Sequence, residues 1–576
     1  MSVPVSPKVA ATGLDAAPDA TDGTDAAPTL IGADGPAPAA RPHRWLEALP
    51  ALAAAVVLLA AGAALLATTW HPVGDYAIAE IIVRHLFPHP PLFGPYSGSR
   101  PYHHPLPLVY ALVWAPYEIF GQRSSAQLAA TVWFNAVLIG LLVWITTRRR
   151  ALGLGLLLLG AITLFARTNE PGHLSIPWNP YLGFVPAVVL VVVVWQTTLG
   201  RRWYLPLATG LATWCVGAHI GYAPTAVGLA AVTIVGLPLA LVRRHGRAGW
   251  RLLGWPLLAS LGVLLVMVSP ALADLAQHGS DSNPSAIWRW VQTSKDPIIP
   301  SHTAWQAIFG DLSLRATWAT GHRPYAVFGR LPHVPVPLLL VPLVLAVGFA
   351  AWRRAGDELA ALATVSVAVL TTAIGILNLQ SNHLVDWYLL PMHAMGVSLA
   401  GIVAWSLCRS AWHVIGPHVS LPESRRRLLR TAGATVVAAA LALLIVPTLH
   451  EQKITADMAA APASLVPSVE RAVPKSHTIV LVSPYKFDGY HPEALALDLD
   501  RAGYTVRYLP RDAYLFGKGL TILPKGRPVT YLYTKLATPD VSPAPGARLL
   551  GQSRPIPAAL VAGLAPMVVW QLPHAP

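Results

Sequence analysis

Between residues 70 and 125 the sequence gathers side chains suited to acid–base and anion chemistry. It reads His71-Pro-Val-Gly-Asp75-Tyr76-Ala-Ile-Ala-Glu80, continues through Arg84, His85 and His89, and ends at Gly94-Pro-Tyr96-Ser97, Arg100 and Tyr102-His103-His104-Pro105. A carboxylate such as Asp75 or Glu80 can take a proton from a hydroxyl within hydrogen-bond reach. More polar groups follow at Arg167, Asn169, Glu170, His173, Trp178 and Asn179, then at His219 and Tyr222, at Asp274, and at His383 before Asp386-Trp387-Tyr388. Each also has a plainer reading. Asp75, placed after Gly74 and before a helix-like run, suits a helix N-cap, a role compatible with that of a base. Glu80 and Arg84 stand four apart, the spacing of a helical ion pair, and either can equally touch a substrate. His219 ends an apolar run, which fits helix-end packing or a pocket wall. Trp178 and Tyr388 fit an interfacial aromatic belt. No HExxH pattern occurs, and the adjacent His103 and His104 cannot face one direction, so no transition-metal site is expected. A divalent cation held through oxygen by Asp75, Glu80 and Glu170 stays open.

The elements that must position these groups lie in a membrane. Of the 576 residues 54% are hydrophobic and only 12% charged, against roughly 25% charged in a soluble domain. The net charge of +14 is spread over too few charges to imply nucleic-acid binding, and is better explained by basic loops on one membrane face. Cys215 and Cys408 both fall inside apolar runs, which excludes a disulfide scaffold. Residues 1–43, rich in Ala, Pro, Asp, Thr and Gly, are expected to form a disordered cytoplasmic tail, and no signal peptide is expected. Residues 44–449 then hold about eleven spans of the length a bilayer requires, at 47–69, 126–147, 151–166, 181–198, 203–219, 224–242, 251–273, 334–352, 359–378, 386–408 and 431–448. The Pro-broken stretch 105–120 reads as a further span or a re-entrant segment. With the N-terminus cytoplasmic, the clusters Arg148–Arg150, Arg201–Arg202, Arg243–Arg251, Arg353–Arg354 and Arg409–Arg430 all fall inside. The long loop 70–125 and residues 450–576 then fall outside.

The last of these regions changes composition. Thr478–Val482, Tyr504–Leu509, Val529–Tyr533 and Met567–Leu572 read as strands and Pro492–Ala502 as an amphipathic helix, which makes a small extracytoplasmic α/β domain without a P-loop or dinucleotide fingerprint. The ionisable and amide groups collect at the outer ends of the spans, whereas span centres are mostly Ala, Leu and Val. Charged groups at a membrane margin are expensive unless they face a cavity, so they are expected to converge on one hydrated pocket. A transporter or lipid flippase, the alternative, would place polar groups near the midplane on broken helices.

Gly74-Asp75-Tyr76-Ala77 with Glu80, Gly94-Pro95-Tyr96-Ser97, His104-Pro105-Leu106-Pro107, Trp178-Asn179-Pro180-Tyr181 and His219-Ile220-Gly221-Tyr222 together resemble the GT-C superfamily of polytopic membrane glycosyltransferases. Its members include protein O-mannosyltransferases, aminoarabinose transferases and cell-wall arabinofuranosyltransferases. The resemblance covers most of residues 45–450. It implies a GT-C-like α-helical polytopic fold in the cytoplasmic membrane, and an inverting transferase that moves a sugar from a polyprenyl-phosphate donor to a wall polysaccharide, glycolipid or protein. Asp75, with Glu80, would supply the catalytic base. Arg84, Arg100 and Arg167 would bind the donor phosphate. Tyr96, His103, His104, Glu170, Trp178, Asn179, His219, Tyr222, His383 and Tyr388 would line the substrate pocket. The chain lacks the adjacent acidic pair that several members carry in this loop, so a catalytically inactive scaffold of the same architecture is a further alternative.

Overall fold

The computed structural model describes residues 46–87, 90–97, 100–149, 151–169, 172–321, 336–381, 384–415, 423–449, 459–483, 491–512, 515, 518–536, 542–553 and 566–576. The tail 1–43, His89, Glu170 and His383 lie outside the described residues. Sixteen helices precede the C-terminal domain among these residues: α1 Leu49–Leu65, α2 Asp75–Arg84, α3 Leu108–Ile119, α4 Ser124–Arg148, α5 Leu152–Thr168, α6 Phe184–Thr198, α7 Leu205–Ala218, α8 Ala223–His245, α9 Gly254–His278, α10 Asn283–Thr293, α11 Ser301–Asp311, α12 Thr317–Thr320, α13 Leu340–Trp352, α14 Gly356–Leu377, α15 Asp386–Ile415 and α16 Glu423–Leu449.

Each of the eleven expected spans holds a helix, and the protein is a polytopic α-helical bundle with a small C-terminal sheet. Seven helical segments among the described residues are long and apolar enough to cross a membrane. One of them, Ile220–Asp281, runs through α8, a 3-10 stretch and α9, so it carries two of the expected spans. Other helices are shorter than the hydropathy runs suggested; α7 has 14 residues and α13 has 13. The stretch 105–120 yields α3, whose 12 residues rise only about 18 Å, too little to cross a bilayer.

The centre of the bundle is α6. Its sequence FVPAVVLVVVVWQTT is apolar all round, and a helix without a polar face must be enclosed by other helices. It packs against α4, α7, α8, α14 and α15. Just before it, the turn Tyr181–Gly183 lies against the ring of Tyr222: a Cβ on Gly183 would come within 2.2 Å of that ring. The Tyr222 hydroxyl donates to the Pro180 carbonyl at 3.1 Å, which locks this turn to the start of α8.

One end of the bundle is basic. Arg149 stacks on Tyr204, Arg409 pairs with Asp357 at 2.9 Å, and Arg353 pairs with the fully buried Glu358. The Trp195 indole donates to the Asp357 carbonyl at 2.8 Å. The arginine clusters at the ends of α4, α13 and α15 and at the start of α7 are thereby brought together. The opposite ends of α7 and α15 carry His219 and Tyr388 of the candidate site.

The C-terminal domain docks at that opposite end. Its strands are β1 Thr478–Val482, β2 Thr505–Tyr508, β3 Val529–Leu536, β4 Arg548–Gln552 and β5 Met567–Leu572, in sheet order β2-β1-β3-β5-β4. β1 pairs in parallel with β2 and β3, whereas β5 is antiparallel to both β3 and β4. β4 is an edge strand with an irregular register at Gly551 and no alternation of buried and exposed residues, so hydropathy patterning gave no sign of it. The helix His491–Arg501 lays its apolar face on both the sheet and α2: Leu495 and Leu499 share one buried cluster with Ile479, Leu532, Ile81, Val83, Tyr110 and Tyr117.

Because Gly183 leaves no room for a side chain against Tyr222, Gly183→Ala is expected to destabilise the bundle by about 1–3 kcal/mol. The measurement is denaturant unfolding in mixed micelles followed by circular dichroism; an unchanged midpoint would contradict this close approach.

Candidate active site

The site is built from chain ends that face one another. α2 starts at Asp75 because Gly74 adopts φ +53°, a conformation that L side chains rarely take, and this turns the chain sharply into the helix. Asp75 therefore heads a ten-residue helix with its carboxylate free of any capping duty. Oδ2 accepts a hydrogen bond from the Trp178 indole Nε1–H at 3.2 Å. The Asp75 side chain is solvent-accessible, yet protein surrounds it densely enough that burial raises its pKa, with the Trp178 bond pulling in the opposite direction. Both hold together for a carboxylate in a recess, reached by water but removed from bulk dielectric.

Aromatic rings extend from the Trp178 contact. Trp70 packs on Tyr76 at 5.9 Å, Tyr76 meets the edge of Trp178, and Trp178 meets Tyr181 at 4.9 Å and Trp387 at 5.4 Å. His173 stacks on Tyr181 at 4.2 Å. Trp387 contacts Tyr388, which leads to a second cluster.

Arg100 is the centre of that cluster. It is 7% exposed, and its guanidinium lies over the rings of Trp290 and Tyr388 at 4.8 and 5.3 Å. It donates to the Tyr102 hydroxyl at 3.0 Å and to the Gln380 carbonyl at 2.9 Å. Both acceptors are neutral, and among the described residues no carboxylate pairs with it. A guanidinium carries five N–H donors, so it keeps capacity for an anion.

His103 and His104 turn to opposite sides. His103 packs on Phe93 and Tyr96 and bonds the Gly94 carbonyl at 3.2 Å, whereas His104 lies 4.7 Å from the His219 ring. Burial lowers the pKa of His103 to about 4 and holds His104 well below its usual value, so both are neutral at physiological pH. Nδ1 of His104 is buried without a hydrogen-bond partner, while Nδ1 of His219 accepts from the Gly221 N–H at 3.1 Å. The loop is clamped from α9 and α10. Asn283 accepts from the His103 backbone N–H at 2.7 Å and donates to the His103 carbonyl at 3.1 Å, and its own N–H donates to Asp274 Oδ2 at 2.6 Å. Sequence reasoning did not include Arg100's partners Trp290 and Gln380 or the clamp Asn283, because each lies far along the chain, two in α10 and one after α14, without a motif.

The remaining candidates are placed as follows. Tyr222 is fully buried in the turn described above, and Asn179 is buried beside it in sequence from Pro180. Arg167 lies exposed at the last turn of α5. Glu80 and Arg84 face the C-terminal domain. Glu80 is fully buried: Oε1 accepts from Arg501 at 2.5 Å and from the Tyr117 hydroxyl at 2.8 Å, and Oε2 accepts from Gln127 at 2.9 Å. Arg84 Nε bonds Asp500 at 2.6 Å. Of the three carboxylates suited to a divalent cation, Glu80 is thus saturated by protein donors, and no group of three or more metal-binding side chains gathers among the described residues. A separate groove of about 500 Å³ lies on α9 and α10, lined by Leu275, Trp288 and Arg289 and by none of these site residues.

No family model matches the sequence, and no curated protein matches it. Among solved structures the chain is similar to the Archaeoglobus fulgidus oligosaccharyltransferase, crystallised with a tethered acceptor peptide containing the NVT sequon. The identity is 12% and the TM-score 0.36, with 86% of this chain and 70% of that chain covered.

The Trp178 indole stabilises the ionised form of Asp75, so Trp178→Phe is expected to move the Asp75 titration to still higher pH. Infrared difference spectra with isotope-labelled aspartate measure this. A titration at the ordinary carboxylate position of about 3.9 in both proteins would contradict the recess.

Proposed function

We propose that the protein is a membrane glycosyltransferase that moves a sugar from a polyprenyl-phosphate donor to an acceptor hydroxyl at the membrane face bearing Asp75. The observation that carries this reading is that two unlike charges with spare bonding capacity stand at the two ends of one chain of aromatic contacts. Asp75 is an accessible carboxylate with a raised pKa, and Arg100 is a buried cation whose hydrogen bonds go to neutral groups. The chain of rings Trp178, Trp387 and Tyr388 links them.

The chemistry runs as a single displacement. The acceptor oxygen attacks the anomeric carbon while Asp75 takes the hydroxyl proton, and the bond from that carbon to the phosphate oxygen breaks. Its electron pair leaves on the phosphate, whose charge the Arg100 guanidinium stabilises. One displacement inverts the anomeric configuration. The leaving phosphate is already a stable anion, so no proton donor to the leaving oxygen is required. Neutral His104 and His219 and the stacked Tyr388 would bound the donor head, and the apolar tail of the donor would lie among the spans. The resemblance to GT-C enzymes at Gly74-Asp75-Tyr76-Ala77 supports the same assignment. In this reading Asp75 alone is the base and Arg100 the principal phosphate contact, with Arg167 a second cation for the donor. Glu80 and Arg84 belong to the docking of the C-terminal domain.

The arginine clusters at the far end of the bundle support placing Asp75 on the extracytoplasmic face, with the C-terminal domain beside an acceptor of wall polysaccharide, glycolipid or protein.

The test is incubation of purified protein in lipid with a panel of polyprenyl-phosphate sugars. Wild-type protein is expected to release or transfer sugar. Asp75→Asn should lower turnover by about 10²–10⁴-fold, the worth of a general base, with expression intact. Arg100→Ala should lower donor kcat/KM by about 10–100-fold, the worth of charge-assisted bonds. Retained activity in Asp75→Asn would remove it as the base.

A further inference from the structure

The helix His491–Arg501 of the C-terminal domain grips α2 from a distance of more than 400 residues in sequence. Its last two residues make the polar part of the contact. Arg501 reaches Glu80 at 2.5 Å and also bonds Ser124 at the start of α4. Asp500 takes Arg84 on one oxygen at 2.6 Å and His85 on the other at 2.9 Å. Burial alone would raise the Asp500 carboxyl, but His85 and Arg84 hold it below the usual carboxylate range, so it faces them as an anion. Arg84 further bonds the Tyr117 hydroxyl at 3.1 Å, and Tyr117 in turn donates to Glu80. Two residues of the C-terminal domain and three of α2 and its C-cap are thus joined in one network around a single tyrosine of α3.

The network fixes both the rotation and the axial position of α2. Glu80 is fully buried with both oxygens occupied, so turning the helix would strand a carboxylate without donors. α2 has only ten residues and no internal Pro or Gly, and Asp75 is its first residue. Glu80 stands five positions after Asp75, about 7.5 Å along a rigid helix axis. At its other end α2 begins at Gly74 without a side-chain cap. A shift at Glu80 would therefore be carried undiminished to Asp75.

We infer that Arg501 is a positioning residue, through which the C-terminal domain sets the place of the Asp75 carboxylate in its recess. The inference rests on the reading of Asp75 as the base. The C-terminal domain accordingly acts on the reaction through the rigid body of α2.

The experiment uses full-length protein in lipid and compares wild type, Arg501→Lys and the paired variant Glu80→Gln/Arg501→Met. The pair removes both charges of the Glu80 contact together; Asp498, which also lies 3.7 Å from Arg501, keeps 22% of its side chain exposed to water, so the fold is expected to persist, checked by monodispersity and circular dichroism. Amide hydrogen exchange of residues 75–84 should quicken at least tenfold in the pair while α6 is unchanged. Turnover should fall about 10–100-fold, the scale of a misplaced reacting group, with donor KM within twofold. Arg501→Lys should restore part of both effects. Unchanged exchange in α2, or faster exchange with unaltered kcat, overturns the inference. If wild type transfers no sugar from any donor, the reading of Asp75 falls; the exchange arm then still decides whether Arg501 holds α2, and an unchanged rate overturns it.

Discussion

A carboxylate taken wholly out of water needs donors for both oxygens, and Glu80 meets that demand from three directions. Tyr117 belongs to α3, Gln127 to α4 and Arg501 to the C-terminal domain. The three could not reach one carboxylate unless the short helices behind the first span, the start of a long span and the last domain were fitted together. The apolar contact of Leu495 and Leu499 with Ile81 and Tyr117 brings the surfaces into register, and the charges then leave one arrangement with every group satisfied. Hydrophobic burial sets how strongly the domain adheres, and the Glu80 network sets where.

The same end of the bundle holds charges with the opposite character. Among the described residues Asp75 has one hydrogen-bond partner, a neutral indole, and Arg100 has two neutral acceptors and two rings. Groups with spare bonding capacity are costly to keep near a membrane unless something binds them, which separates them physically from Glu80 and Arg84 a few residues away. The saturated network serves folding, and in the proposed reading the unsaturated pair serves ligand chemistry. Buried neutral histidines fit the second role as well, because His104 and His219 wall the region beside Arg100 without adding charge of their own.

The rigid α2 connects the two systems. Its front residue stands in the recess, and its back half is bound into the domain contact. The long loop that follows is held separately, by Asn283 and Asp274 from α9 and α10. Asp75 and Arg100 are thus positioned by different parts of the chain, and Trp178, Trp387 and Tyr388 link them.

The sequence by itself determined the features that depend on local composition. Apolar runs placed eleven helices because a bilayer filters segments by hydropathy, and four of the five strands were visible as β-branched and aromatic runs. The edge strand Arg548–Gln552 was not visible, since it buries no consistent face. Asp75 and Trp178 stood out by residue type and neighbouring motif, but their contact spans 103 positions and no local pattern encodes it. Glu80 and Arg84 looked like an intrahelical pair by spacing alone. Only the tertiary structure turned them toward Arg501 and Asp500, because a charged side chain satisfies itself with the nearest donor or acceptor in space, here more than 400 residues along the chain.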